Sequence, residues 1–466
     1  MADIKEHPTV AVLPLGRPTF DVEFAGEKLA AMLALLDSSD ARLVGSRELL
    51  FDADAARAAL DALPDEIDLV LILQVTFTDA GMAVEIANRL DAPLAIWSVR
   101  EPREGGRLRL NSFCGLNLAT HALTKSGIEL GYLYADPDPT AAQPLSELLT
   151  GGRRTRAIGR QSVANTTQEA ERAKVAVEGS RIARIGVHPD GFDTCAYDED
   201  ELHSLAGVEV EALQLDDLFS QAKASAREDV ADVRVLAERD IDGLDQVDAD
   251  ELDRSLRLKV ALDHLKAHRK ADAFAIRCWP ETFTEYGGAI CGPVSMMGEA
   301  RVPCACEADV YGALTQLYLQ ALTGSAPFLV DLVDIDPADD TAVVWHCGQA
   351  PISMRSQRST ATATIHTNRK MPLLYEFTLK PGPVTFMRVS QARGEPCIVV
   401  ARGEMIDRPM AFTGTSGVFE IEGGAARLLS NTMDAGLEHH MALVYGDWTA
   451  DIAGLSAALG LPLVEL

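Results

Sequence analysis

Solid apolar runs separated by stretches of helical periodicity fill residues 1–180. Thr9–Leu15, Leu69–Leu73 and Pro93–Trp97 are apolar on both faces and read as strands covered on both sides, with a shorter one at Gly131–Tyr134. Helices are predicted between them over Glu23–Leu36, Ala80–Leu90 and near Leu116–Leu123, and another runs through Leu149. Buried strands alternating with helices predict a parallel, doubly wound sheet. A second such unit starts at Arg181, where RIARIGVH is a fresh first strand. It continues with a strand at Val208–Leu213, acidic helices over Leu215–Lys223 and Asp248–His268, and a strand at Ala273–Arg277. After Asp331 the period changes to two. Thr360–His366, Leu373–Thr378, Val384–Ser390 and Cys397–Arg402 alternate and are broken by Gly and Pro, which predicts an antiparallel barrel or sandwich. A last helix is predicted over Thr449–Leu459. The expected fold is α/β: two doubly wound Rossmann-like units, residues 1–180 and 181–328, then a β-rich, barrel-like C-terminal domain, residues 329–466.

Pro303–Asp331 departs from a simple core pattern. Val310, Leu314, Leu317 and Ala321 recur at helical spacing, Thr323-Gly324 ends that helix, and Glu307–Leu322 is expected to close the second unit. The strand Phe328–Val333 follows, with Leu329, Asp331 and Val333 on one face. Asp331 thus sits inside an apolar run. A lone buried carboxylate costs several kcal/mol, so it must be paired, protonated or metal-bound. Glu307 has a plainer reading, since acids favour the first turn of a helix and Asp309 can serve as its cap.

Composition narrows the function. The 466 residues carry a formal charge of −28, which disfavours nucleic acid and anionic membranes as partners. No apolar run is long enough to span a bilayer, and the N-terminus MADIKEHPTV, carrying both charge signs and entering a strand, does not resemble a signal peptide. Eight scattered cysteines then read as reduced cytoplasmic thiols. Cys304-x-Cys306 lacks the further ligands of a regular thiolate zinc site and reads as small buried strand residues. No GxGxxG follows the first strand, which argues against a dinucleotide cofactor. The loop Cys278-Trp279-Pro280-Glu281 lies at a strand C-terminus, where open α/β sheets hold ligands, making Trp279 and Glu281 candidates for substrate binding. Glu281 reads equally well as an exposed loop acid.

Glu307, Asp331 and one histidine of the tail Leu437-Glu438-His439-His440 would form an oxygen-rich set with a single imidazole. Such a set suits Mn²⁺ or another hard divalent cation, with positions left for substrate oxygens. A hydroxy-carbonyl bound there could pass through an enediol while a carboxylate moves the proton.

Glu307-Ala-Asp309, followed 24 positions later by Asp331 in a Phe-x-x-Asp strand start, resembles the L-fucose isomerase family. The tail is similar too: His440, Tyr445-Gly446, Ala450-Asp451-Ile452 and a closing Leu-Pro, with a comparable helix opening and His-His tail in the related L-arabinose isomerases. The likeness covers the last third of the chain in motif and the rest in architecture. It implies an aldose–ketose isomerase of open-chain sugars working through a cis-enediol. In that reading Glu307 and Asp331 are metal ligands and the acid/base pair, His440 is the third ligand rather than His439, and the ion is Mn²⁺. It further implies a homo-oligomer, often a hexamer, with sites at subunit contacts.

Trp345-His346-Cys347-Gly348 has no counterpart in that motif. Trp345 and His346 are candidates to face the substrate, and His346 reads equally as a core histidine. Arg355, Arg358, Arg369 and Lys370 are a basic group in an acidic chain. They read either as solvated loop charge or as the seat of a phosphate or sulfonate on a modified sugar, with Arg355 taken as the substrate-binding candidate. The competing functions are a sugar-binding relative without turnover and a metal-dependent hydrolase.

Overall fold

The computed structural model describes residues 7–466. Residues 1–6, part of the N-terminal segment read above, lie outside the described residues. The first parallel sheet contains β1 (Thr9–Leu15), β2 (Arg42–Gly45), β3 (Leu69–Gln74), β4 (Leu94–Ser98) and β5 (Gly131–Tyr134), in the order β2-β1-β3-β4-β5. A second parallel sheet contains β6 (Arg181–Ile185), β7 (Glu209–Leu213), β8 (Ala273–Ile276) and β9 (Cys304–Cys306), ordered β7-β6-β8-β9. Every residue of β3 and β8 is buried, as strands covered on both faces require. Cys304 and Cys306 are buried in β9.

The third sheet holds β10 (Phe328–Asp336), β11 (Thr341–His346), β12 (Thr362–Thr364), β13 (Leu374–Thr378), β14 (Gly382–Ser390), β15 (Cys397–Met405), β16 (Thr415–Ile421), β17 (His440–Tyr445) and β18 (Leu463–Glu465). Six of these strands close on themselves. β16, β11, β10, β17, β14 and β15 pair antiparallel in that order, and Gly403–Met405 of β15 pairs back onto Phe419–Ile421 of β16. Closure removes the open edges that would otherwise pair with other chains. β13 and β18 add outside the ring as parallel neighbours of β16 and β15. Val330, Val344, Phe386, Ala401 and Phe419 share one core cluster, with the Phe386 and Phe419 ring centroids 4.9 Å apart. The valine and phenylalanine side chains each contribute about 1.5–3 kcal/mol by leaving water. The alternate residues Leu329, Met387, Val389, Ala442 and Val444 pack outward against the helix Val310–Thr323.

Several elements depart from the sequence reading. β2 has no fully buried residue, so nothing apolar announced it. The helices Ala53–Asp61, Arg227–Asp240 and Ala425–Ala435 bury narrow stripes, such as Val230, Val233 and Ala237, within polar surroundings. The helix expected from Glu307 starts at Val310, because Asp309 caps it by accepting the Gly312 N–H at 2.8 Å. Among the described residues no helix is long and apolar enough to cross a membrane.

Two buried features join the first sheet to the barrel. The helix Ser112–Lys125 is buried around its whole circumference. Its Asn117 donates to the Leu437 carbonyl and its His121 ring meets the Gly436 carbonyl, each at 2.9 Å. Gly436 is needed here: its φ is 64°, and a Cβ would lie 2.1 Å from Thr124 Oγ1. The second feature is Asp334, fully buried on β10, which accepts from Arg100, Arg103 and Tyr134 at 2.8, 2.6 and 2.5 Å. Removing it leaves two guanidiniums that still reach some water. Asp334→Ala should therefore cost about 2–3 kcal/mol, less than a fully buried pair, and lower Tm measurably in calorimetry. An unchanged Tm would show that Asp334 does not join the units.

Candidate active site

Open α/β sheets bind ligands beyond their strand C-termini. Arg17 follows β1, Phe77 follows β3, Trp279 follows β8 and Glu307 follows β9, and all four line one cleft. The barrel closes it with Asp331 of β10, Trp345 and His346 of β11, and His439 just before β17. The cleft encloses about 690 Å³ of atom-free space, counting the part open to solvent. All three sheets therefore contribute to it.

Glu307 enters the cleft through an unusual bend. Glu307 and Ala308 have φ of 58° and 55°, a left-handed conformation that costs non-glycine residues on the order of 1–3 kcal/mol each. The Ala308 and Asp309 N–H groups, each donating at 3.0 Å to the Ile276 and Cys306 carbonyls, hold it. The bend takes Glu307 out of the helix, so it is not a first-turn acid as the sequence allowed. Its Oε1 accepts from the Trp279 indole at 2.9 Å, and its Oε2 lies 2.9 Å from His439 Nε2. Burial pushes the Glu307 carboxyl up, but the His439 hydrogen bond and charge bring it below its usual range. Burial likewise pulls the His439 imidazole down, and the bond to Glu307 more than reverses this.

His440 lies behind this pair and connects the two acids. Its Nε2 is 3.4 Å from Asp331 Oδ1 and 3.8 Å from Glu307 Oε2, while Nδ1 sits 2.9 Å from Asp309 Oδ2. Asp309 in turn grips Arg388 through both carboxylate oxygens, at 2.5 and 3.0 Å. Asp309 and Arg388 are both buried. An Asp309 carboxylate at Nδ1 fixes the His440 proton there and turns the Nε2 lone pair toward the acids. Burial first, then the neighbouring His439 charge, hold the His440 imidazole below its usual value.

The donor set can be tested for a metal. Asp331 Oδ1 is buried and accepts no hydrogen bond. Donor atoms within 4.8 Å of one another fall into groups that include Glu307 with His439, His440 and Cys195, and Asp331 with His346 and His440. His440 is common to both of these groups, and carboxylate oxygens with an imidazole whose second nitrogen is secured are the donor types a hard divalent ion takes.

Trp279, Trp345 and His346 also line the cleft. His346 Nδ1 accepts the Cys347 N–H at 2.9 Å, so its proton is on the buried Nε2, which has no other partner. Two candidates lie elsewhere. Glu281 is held by Arg277 through two 2.7 Å bonds, an ion pair along the loop. Arg355 is spent on the Ser356 and Ser359 carbonyls, because the short helical turn before it directs the side chain back along its own loop. Arg358 pairs with Asp407 in solvent and Lys370 is exposed. Of that basic group, Arg369 lines the cleft. Arg17 and Arg388 were not singled out from sequence. Arg388 had a visible signal, a charge inside the apolar strand Val384–Ser390, whereas Arg17 had none.

Comparison with known proteins places this geometry. A family model described as fucose/sulfoquinovose isomerase, N-terminal domain, matches residues 11–150, and one described as L-fucose isomerase, C-terminal domain, matches residues 344–466. A sulfoquinovose isomerase of Priestia aryabhattai is 32% identical over 462 residues, covering 98% of each chain. A sulfoquinovose isomerase of Alkalicoccus urumqiensis is 32% identical over 459 residues, covering 98% of this chain and 99% of that one. Likeness of this extent, with both family models in order along the chain, makes it a sugar isomerase belonging to the fucose/sulfoquinovose isomerase family.

Proposed function

We propose that this chain is a divalent-metal-dependent aldose–ketose isomerase of a sulfonated sugar, moving a proton between C2 and C1 of the open-chain form through a cis-enediol. The observation that carries this reading is the pair of carboxylates, Glu307 and Asp331, set against the single Nε2 of buried His440. Glu307, Asp331 and His440 would hold Mn²⁺ or a similar ion. When bound, the ion would polarise the substrate carbonyl and hydroxyl and stabilise developing negative charge. Glu307 and Asp331 act as the acid/base pair, one taking the proton from carbon while the other serves the oxygen. Asp309 keeps His440 in the right tautomer. His346 offers its Nε2–H to a sugar oxygen, and Trp279 and Trp345 cover the carbon chain and limit water. The sulfonated substrate class is supported by the relatives' names, since sulfoquinovose is the sugar they act on.

Three domains dividing near residues 180 and 328 fit the three sheets. Eight unpaired thiols support a reducing, cytoplasmic setting. A homo-oligomer is supported by the family resemblance.

The test is incubation with sulfoquinovose and added Mn²⁺, scored for ketose by NMR, with a chelated control. Ketose formation is expected, with a loss on complete chelation of at least about 100-fold that Mn²⁺ restores. Product without any metal, or no ketose under any metal, would overturn the mechanism.

A further inference from the structure

The cleft contains a positive charge that its own walls do not neutralise. Arg369 makes no ion pair and no side-chain hydrogen bond among the described residues, although this chain carries a net charge of −28. Its guanidinium lies 4.8 Å from the Trp279 ring centroid and 5.3 Å from that of Phe283. Arg17 faces the same indole at 5.6 Å, and Asp79 balances its charge through a 2.5 Å ion pair. One indole is therefore flanked by two guanidiniums and bonded through its N–H to Glu307. It spans from the acid/base carboxylate to the cationic wall. Burial disfavours the charged form of Arg369 and outweighs the opposing interactions around it, which include no carboxylate ion pair.

The loop bearing Arg369 is fixed by other contacts. The His366 N–H donates to the Met371 carbonyl at 2.9 Å, and Asn368 accepts from Arg107 at 2.8 Å. The guanidinium is thus preorganised over the cleft without contributing to the loop's own fold. An uncompensated guanidinium held this way is a binding group for a planar or tetrahedral oxyanion. With Arg17 already neutralised, one positive charge remains. That count matches a sulfonate, which carries one negative charge, better than a phosphate ester, which carries about 1.5 to 2 at neutral pH.

We propose that Arg369, with Arg17 as its partner across Trp279, receives the sulfonate at the far end of the open-chain substrate and thereby selects sulfonated over neutral sugars. This rests on the isomerase reading, which puts C1 and C2 at Glu307 and Asp331. An extended six-carbon chain spans about 6 Å, so its sixth carbon is carried along the indole away from those carboxylates.

The test uses a ligand that cannot isomerise, so it does not depend on turnover. Binding of 6-deoxy-6-sulfo-glucitol, glucitol 6-phosphate and glucitol to the Mn²⁺-supplemented protein is measured by calorimetry. The sulfonated polyol should bind more tightly than the other two. Arg369→Met should weaken it by about 10- to 100-fold while leaving glucitol affinity unchanged, and Arg369→Lys should recover part of the loss. A thermal melt on each variant confirms folding. Equal weakening of sulfonated and neutral polyols, no weakening at all, or tighter binding of the phosphate ester would overturn the assignment. Arg369-dependent binding in a protein that forms no ketose would support the sulfonate seat while sinking the isomerase reading, so the two fail separately.

Discussion

Glu307→Gln is expected to lower kcat by about 10³-fold, within the range that a positioned general acid or base contributes. The glutamine keeps the shape, and its carbonyl oxygen can still accept from Trp279. It cannot take a proton, and it removes the negative charge that raises the His439 imidazole. Because the left-handed bend is held by backbone N–H groups, the fold should not change. Stopped assays of ketose formation, with a melting curve as control, check this. Turnover within tenfold of the parent would show that Glu307 is not the acid/base group. Retained sugar binding without turnover is the expected companion result, separating a catalytic group from a binding one.

The second large effect is on stability. Asp309→Asn leaves Arg388 charged, buried and facing an amide, and should cost about 3–5 kcal/mol in denaturant unfolding. Burial pushes the Asp309 carboxyl up, but the charge of Arg388 and the bond to His440 hold it well below the ordinary aspartate value of 3.8. The sign follows from that depression. The carboxylate's contribution is complete above the unfolded value and is lost as pH falls through the lower folded one. The stability gap between the parent and Asp309→Asn should therefore be full near neutrality and narrow below about pH 3.8. Activity should fall as well, since His440 loses the acceptor that fixes its tautomer, and such partners are worth about 10- to 100-fold. Asp309→Leu combined with Arg388→Met removes both charges and should regain much of the stability without regaining activity. A double variant as unstable as the single one would mean the pair's value is not electrostatic.

These residues also show what the sequence could and could not reveal. Asp331 stood out because a carboxylate within an apolar period-two strand has to be explained, and it faces the cleft. The parallel units were legible for the same reason: strands such as Leu69–Gln74 are apolar on both faces. A barrel-like domain was expected from the alternating strands, but which strands close it was not legible, because the pairing of β15 with β16 is a matter of register rather than composition. Glu307 was visible as an acid but not as a bent one, since nothing local foretells two consecutive non-glycine residues at positive φ. Asp309 read only as a helix cap. Its second role, holding His440 and Arg388, depends on strands more than 70 residues away in the chain. Glu281 and Arg355 looked suitable by position, but nearer partners took them.

The place of β17 in the ring has a temporal consequence. It inserts between β10 and β14, which precede it in the chain. As a chain grows from its N-terminus, the first two units can form early, yet the ring cannot shut until residues 440–445 emerge. Until then the apolar flanks of β10 and β14 remain unpaired, and the growing molecule is most prone to stick to its neighbours at that stage. The same late insertion delivers the imidazoles, so competence for chemistry and closure of the barrel arrive together.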